Sequence, residues 1–444
     1  ILNNFFHKRR SVQTFLFKIK RLKCRFLNLL LAMSLSSAAF AQSVPLSFSA
    51  FENASLLLLD AQQQVVMVKD ADKAMIPAST TKLVTAFLAL KHWGADHRFK
   101  TDFYLNQTET QGAVLTVKGY GDPFLISEEI QTLAMNLADR LKAQKIHVLS
   151  HLVLNTETFE PAVILPGHSA SQNPYDAIPS ALAANFNTLN VKRQHGKLVS
   201  AEPQTPLTPL AKAWASRAEA DLSQGRINLG GDTKRCEHYF AELLSHFLIQ
   251  QGIQINHSVQ WEKSFATAVK PDSPFYRYFN RHTLAQIIEP MMRYSTNFIA
   301  NQLALMLSAE RFGAPASADK VARLFQSDLQ RYFGWRDFNL EDGAGLSRQN
   351  RLSAQQLVEL LQHFQPWRTL LPEIMPKVLA KSGTLIGVTT LAGYIKTTDT
   401  NQSDQTQWVP FALLINEPAS YRARNQIVQQ LKAALSSKTP ALTD

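Results

Sequence analysis

A serine and a lysine three residues apart, Ser79 and Lys82, head the apolar run Leu83-Val84-Thr85-Ala86-Phe87-Leu88-Ala89-Leu90. On a helix that spacing puts both on one face with Cβ atoms roughly 5–6 Å apart, so the amine can take the serine's proton and make it a nucleophile. The positive end of the helix favours negative charge developing nearby. An ordinary helix start with a solvated lysine is the commoner meaning of the same spacing, so the chemistry depends on partners further along. Two other polar clusters interrupt apolar surroundings. Ser295-Thr296-Asn297 follows Arg293-Tyr294 between the helical runs Leu284 to Met292 and Phe298 to Leu307, where plain capping of the second helix is the alternative. Lys381-Ser382-Gly383-Thr384 lies on a strand-like run, which suits an exposed edge or the close approach of a substrate backbone.

Positioning these groups requires particular elements. Pro77 fixes the approach to Ser79, and the hydroxyls of Ser79, Thr80 and Thr81 are expected to satisfy free N–H groups at the helix start. Ser55 to Asp60 and Val65 to Lys69 predict a strand pair leading to that helix, and Val378 to Leu385, Thr390 to Lys396 and Val409 to Asn416 predict an antiparallel meander. Arg424 to Leu435 carries Ile427, Val428, Leu431, Ala434 and Leu435 on one stripe, expected to pack on that sheet, with a membrane-surface helix as the alternative. Between about 100 and 273 the pattern changes. Short strands, the helical runs Ile130 to Leu141 and Cys236 to Gln251, a strand over Ile146 to Leu154 and a series of prolines describe a second module. Gly119-x-Gly121 is followed by Asp122-Pro123 where a dinucleotide fingerprint needs its helix, so a tight turn is expected. His147 and His151 lie along a strand and do not converge as a zinc pair, so no metal or other cofactor is expected. Asp342-Gly343-Ala344-Gly345-Leu346-Ser347-Arg348 forms a glycine-bearing loop whose composition assigns it no chemistry.

Charge and cysteine content bound the class. Residues 1 to 41 hold eight basic and no acidic side chains, an apolar run from Phe26 to Leu35 and Ala39-Phe40-Ala41, the pattern of a secretory signal peptide cleaved after Ala41, with a retained anchor as the alternative. Beyond it stand 38 basic against 35 acidic residues, which gives no warrant for nucleic-acid binding. About 403 residues remain, enough for two or three domains. Cys24 leaves with the leader, and its place before the apolar run argues against a lipoprotein. Cys236 is left alone, so packing rather than a disulfide must supply stability.

Ser79-x-x-Lys82, Ser295-x-Asn297 and Lys381-Ser382-Gly383 stand in the order S-x-x-K, S-x-N, K-T-G. With Pro77-Ala78-Ser79-Thr80-Thr81-Lys82-Leu83, Gly119-x-Gly121-Asp122-Pro123-x-Leu125 and Asp342-Gly343-x-Gly345-Leu346-Ser347-Arg348, the chain resembles the penicillin-binding D-alanyl-D-alanine carboxypeptidases and endopeptidases of the class C low-mass type. The spacing of 216 positions from Ser79 to Ser295 matches their inserted domains and exceeds that of the compact β-lactamases, although the interval is lean for a full third domain. Ser382 replaces the family's threonine and Thr296 the usual Asp or Asn, each keeping a hydroxyl.

The resemblance implies an α+β fold, a penicillin-binding/β-lactamase-like domain with an antiparallel sheet flanked by helices. It would comprise residues 43 to 99 and 274 to 444, interrupted by one or more inserted domains over 100 to 273. It implies a periplasmic serine peptidase acting on peptidoglycan stem peptides and acylated by β-lactams, with Ser79 as nucleophile, Lys82 as general base and Ser295 relaying a proton to the leaving amine. Asn297 would hold the substrate amide and orient Lys82. Lys381 would attract the substrate carboxylate and lower the pKa of Lys82, Ser382 and Thr384 would offer hydroxyls, Gly383 would let the substrate lie close, and the N–H groups of Ser79 and Thr384 would form the oxyanion hole. A β-lactamase and a non-hydrolytic peptidoglycan-binding protein are the alternatives. Peripheral contact with the inner membrane stays open as a further partner.

Overall fold

The structure is a computed structural model that describes residues 46–109, 112–217, 224–257, 259–262, 273–398 and 406–437. The expected leader and its cleavage after Ala41 lie outside these residues. The strands used below are β1 (Ala54–Leu59), β2 (Val65–Lys69), β3 (Lys100–Thr108), β4 (Gly112–Lys118), β5 (His151–Asn155), β6 (Gln260–Trp261), β7 (Tyr276–Phe279), β8 (Glu373–Met375), β9 (Val378–Leu385), β10 (Val388–Thr398) and β11 (Thr406–Ile415). The helices are α1 (Thr81–Trp93), α2 (Ser127–Ala143), α3 (Thr233–Gln250), α4 (Leu284–Tyr294), α5 (Asn297–Phe312), α6 (Ala318–Phe333), α7 (Ala354–Phe364) and α8 (Tyr421–Ser437).

One six-stranded antiparallel sheet, in the order β8-β9-β10-β11-β1-β2, joins the two ends of the described chain. Strand β1 reads as an unbroken apolar run because both of its faces are covered. Leu57 and Leu59 face a core with α1, α5 and α7, whereas Ala54, Leu56 and Leu58 face α8. The meander β9-β10-β11 forms as its spacing predicts. Ile427, Val428, Leu431, Ala434 and Leu435 of α8 are buried against this sheet, which occupies the stripe considered for a membrane surface. Thr81 to Leu90 of α1 are all buried, since this helix is enclosed by the sheet and by α4, α5 and α7.

The intervening chain builds its own five-stranded sheet, β6-β5-β4-β3-β7, over a second core in which Leu133, Leu137 and Leu141 of α2 pack with Phe240, Leu244 and Leu248 of α3. Three details differ from the sequence reading. Strand β7 pairs Tyr276 with Phe103 and Phe279 with Lys100, so residues 276–279 belong to this sheet and the chain returns near 280 rather than 274. Pairing against β3, not the nearby proline, fixes that boundary. The expected strand over 146–154 breaks at Ser150, whose N–H and hydroxyl both donate to the Ala113 carbonyl at 2.8 Å. The insertion is also not a separate lobe. Phe159, Val163, Leu165, Ala177 and Ala181 are buried in the first core, and Gln302 on α5 donates to the Ser180 carbonyl at 2.6 Å. At the crossing the expected tight turn does not fall on Gly119 and Gly121, whose N–H groups donate to the Asn155 and Ala181 carbonyls at 3.0 and 2.9 Å, but on Pro123–Phe124; the glycine is needed for close approach, since a Cβ on Gly119 would lie 2.3 Å from the Ala181 carbonyl oxygen. His151 stacks on His257 with ring centroids 4.5 Å apart.

Candidate active site

Ser79 sits in a single 3₁₀ turn, Ala78–Thr80, that runs into α1. Ala78 holds φ of 46°, left-handed backbone that costs a non-glycine residue about 1–2 kcal/mol and persists only because its neighbours impose it. Here the hydroxyls act opposite to the sequence expectation. Thr80 and Thr81 cap no N–H; they donate backward to the Pro77 and Ala78 carbonyls at 2.6 and 2.9 Å. The tight turn already engages the Thr80 and Thr81 N–H groups on the Pro77 and Ala78 carbonyls, so the two hydroxyls have no free N–H to cap and add second donors to the same oxygens.

Two glycines close over this turn. Gly383 on β9 is pressed so near that a Cβ would meet Ser79 N at 2.7 Å and the Thr390 hydroxyl at 2.3 Å. The neighbour that requires this glycine is therefore the Ser79 turn, where the sequence reading has substrate. Gly345, at φ of 83°, would place a Cβ 1.9 Å from the Ala78 carbonyl oxygen. Gly345→Ala is accordingly expected to cost about 2–4 kcal/mol of stability and to lower the rate of Ser79 acylation by displacing Ala78, as thermal melting and acylation kinetics will register.

Lys82 is fully buried and makes three hydrogen bonds: to Ser79 Oγ at 3.0 Å, to Asn297 Oδ1 at 2.8 Å and to the Ala344 carbonyl at 2.8 Å. Burial holds its pKa well below the ordinary lysine value, the positive charge of Lys381 lowers it further, and Asp342 opposes both. A lowered pKa favours the neutral amine, the form that a base for Ser79 requires. Asn297, the first residue of α5, spends its side chain on this site and not on a cap: its amide donates to the Tyr175 carbonyl at 3.0 Å while its oxygen accepts from Lys82.

Ser295, next to it, is held at φ of 56° where α4 ends, half-buried in the loop before α5. Among the described residues no hydrogen bond joins it to Ser79, Lys82 or Lys381.

Lys381 is buried, donates to the Ser382 carbonyl at 2.7 Å, and has its pKa pushed down to about 8, first by burial and then by the Arg424 cation on α8. Along β9 the side chains alternate. Leu379 packs in the core around α1, so Lys381 and Gly383 share that face, whereas Val378, Ala380, Ser382 and Thr384 lie on the α8 side. Strand β8 pairs only at Leu379 and Val378, so beyond Pro372, which accepts from Ala380 N, the outer edge of β9 from Lys381 to Leu385 has no strand partner among the described residues. An extended peptide fits such an edge by backbone pairing. Thr384 is exposed there.

Several contributors escape a sequence reading. Asp342, fully buried, accepts the N–H groups of Ala344, Gly345, Leu346 and Ser347 at 2.8–3.1 Å and the Asn350 amide at 2.7 Å. That network aims the Ala344 carbonyl at Lys82. An aspartate heading a glycine-bearing loop is the available signal, since such side chains fold back on their own backbone. Tyr175 comes from the insertion, supplies its carbonyl to Asn297 and leaves its ring exposed beside the cleft. Arg348 ties the same loop to the turn between β9 and β10 by donating to the Ile386 carbonyl.

Lys381→Ala should lower kcat/KM by roughly 10²-fold, through loss of a buried cation facing the cleft. It should also raise the pKa of Lys82, so that the acid-side limb of the rate profile moves to higher pH, while any limb near pH 8 that reports Lys381 disappears. A profile of kcat/KM against pH with an unmoved acid limb would show the two lysines to be uncoupled.

Comparison with known proteins bears on this arrangement. A family model described as the D-Ala-D-Ala carboxypeptidase 3 (S13) family matches residues 51–376. A D-alanyl-D-alanine carboxypeptidase of an Actinomadura species is 24% identical over 398 residues, covering 74% of this chain and 72% of that relative. The D-alanyl-D-alanine carboxypeptidase DacB of Haemophilus influenzae is 25% identical over 397 residues, with 75% and 80% covered. The crystal structure of penicillin binding protein 4 from Haemophilus influenzae is similar in fold, with a TM-score of 0.68 at 20% identity over 86% of this chain and 96% of that one.

Proposed function

Because the chain belongs to the D-Ala-D-Ala carboxypeptidase 3 (S13) family, a match that spans most of its length, we propose that its cleft cuts D-alanyl-D-alanine ends or cross-links of peptidoglycan stem peptides through an acyl-Ser79 intermediate. The observation that carries this reading is the buried Lys82 amine 3.0 Å from the Ser79 hydroxyl. Lys82 takes the hydroxyl proton as Ser79 Oγ attacks the carbonyl of the penultimate D-alanine. The tetrahedral oxyanion faces the N–H groups of Ser79 and Thr384. Collapse breaks the peptide bond, with the proton passed from Lys82 through Ser295 to the leaving amine, and leaves the acyl-enzyme. Water, deprotonated by Lys82, then releases the acid and restores Ser79. Lys381, with Arg424 behind it, draws the carboxylate of the leaving residue, and Asn297 holds the substrate amide while fixing Lys82. Ser382 and Thr384, whose side chains stand on the α8 face, meet the substrate through the backbone of the open strand edge. β-Lactams acylate the same serine.

The leader expected in residues 1–41 supports a periplasmic location, and among the described residues no helix is long and apolar enough to cross a membrane. Incubation with pentapeptide and with cross-linked muropeptides tests the activity and separates carboxypeptidase from endopeptidase action. Release of D-alanine or cleavage of the cross-link is expected. Rapid turnover of penicillin without either cleavage would instead mark a β-lactamase, and absence of any acylation a binding protein.

A further inference from the structure

Outside the catalytic cleft, the inserted chain holds a cavity of about 560 Å³, a size within the ordinary range of small-molecule sites. One wall is the segment after β5, which Phe159 and Glu160 tie to Ala316 of the α5–α6 loop: Glu160 N donates to the Ala316 carbonyl and Ala316 N to the Thr158 carbonyl, at 2.9 and 2.7 Å. The opposite wall is the first turn of α3 together with Trp261 at the end of β6. The cavity thus lies where the inserted chain meets the helices of the first core. Apolar surface from Leu154, Phe159, Pro161 and Trp261 makes up most of its lining.

Its polar groups are unbalanced. Glu237 is 4% exposed yet lines the space, with one carboxylate oxygen accepting the Trp261 indole N–H at 2.6 Å and a further hydrogen bond from Thr156. Burial pushes its pKa up to about 7, the behaviour of a carboxylate whose charge is incompletely compensated. Asp232, Glu157, Glu160 and Glu262 also line the space, Asp232 lying 3.6 Å from the Arg235 guanidinium and Glu262 accepting from the Asn155 amide, and among the described residues Lys234 is the lining cation, its amine 5.7 Å from the Trp261 ring centroid. Thr233, only 7% exposed, also lines the cavity, and its hydroxyl oxygen has no hydrogen-bond partner among the described residues. A buried hydroxyl without a partner and a buried carboxylate with surplus acceptor capacity ask for a ligand carrying N–H donors.

We propose that this cavity is a second binding site, distinct from the Ser79 cleft, for a primary ammonium carried on a short apolar stem. The ammonium has three donors, enough for the Glu237 carboxylate and the Thr233 hydroxyl, and the stem lies against Phe159, Pro161 and the Trp261 ring. The excess of carboxylates disfavours an anion despite the helix N-terminus. The site stands independently of the reaction assigned to Ser79.

Hexylammonium is a direct probe, with 1-hexanol and hexanoate as controls of the same stem. Titration of the full chain, followed by calorimetry and by the ¹⁵N-indole resonance of Trp261, should show saturable hexylammonium binding with Kd of about 1 mM or tighter, reasonable for a ligand of this size. Hexanol and hexanoate should bind at least tenfold more weakly, and Glu237→Gln, nearly isosteric, should weaken hexylammonium at least tenfold. Protein pre-acylated with penicillin should bind hexylammonium unchanged. The proposal is overturned by a lack of saturable hexylammonium binding, by hexanol or hexanoate binding as well as the amine, by undiminished binding in folded Glu237→Gln, or by loss of binding on acylation. The comparison of the three stems on the unmodified protein needs no variant to fold.

Discussion

Ser79→Ala is expected to reduce peptide hydrolysis by at least about 10⁴-fold and to eliminate covalent capture of penicillin, while leaving the melting temperature close to that of the parent. The size of the effect follows from the neighbourhood. Lys82 and Asn297 would remain, but a base without a nucleophile can at best activate water that has no defined place beside the substrate carbonyl. The Thr80 and Thr81 hydroxyls cannot substitute, because both are committed to the Pro77 and Ala78 carbonyls on the buried side of the turn. The structural cost is small. Ser79 loses one hydroxyl, and Lys82 retains two of its three acceptors. Steady-state kinetics with a D-alanyl-D-alanine peptide, together with a thermal melt, separates loss of chemistry from loss of fold.

Lys82→Arg should be nearly as damaging, lowering the acylation rate by roughly 10³-fold. Charge is conserved in this substitution, so an electrostatic role alone would survive it. Proton acceptance would not, because a guanidinium stays protonated at any pH the enzyme tolerates. Geometry adds to the loss. The three acceptors around Lys82 converge on one nitrogen, whereas a planar fork spreads its donors. Stopped-flow acylation by a chromogenic cephalosporin gives the rate directly. A rate within tenfold of the parent would remove Lys82 from the role of base.

Much of this site is legible from residue order. A serine and lysine three apart define one helix face, and the strand run from Val378 to Leu385 with two further runs behind it defines the meander that faces them. The apolar stripe of α8 likewise gives its packing on the sheet, because a 3.6-residue period has a clear meaning once a sheet is available to cover it. What stays hidden depends on contacts between distant residues or on the sense of a hydrogen bond. Tyr175 reaches Asn297 through its backbone carbonyl, which no side-chain pattern reports. Asp342 acts on Lys82 both by its charge and by aiming the Ala344 carbonyl, an effect that exists only once the loop has folded around it. Thr80 and Thr81 have the composition of caps, yet the tight turn before α1 reverses their hydrogen bonds. Gly383 is legible as a point of close approach, but the sequence does not say that the approaching group is the Ser79 turn. The return of the chain at residue 280 is set by pairing with a strand about 175 residues earlier, beyond the reach of any local signal.

Formation of the acyl-enzyme on Ser79 is tested by the mass of the penicillin adduct. Whole-protein mass spectrometry after brief exposure to penicillin should show one added penicillin per chain. Proteolysis and fragmentation should place that mass on the Ser79 hydroxyl, with none on Ser295 or Ser382. An adduct on another residue, or Ser79→Ala protein that still gains the mass at the same rate, would contradict the account.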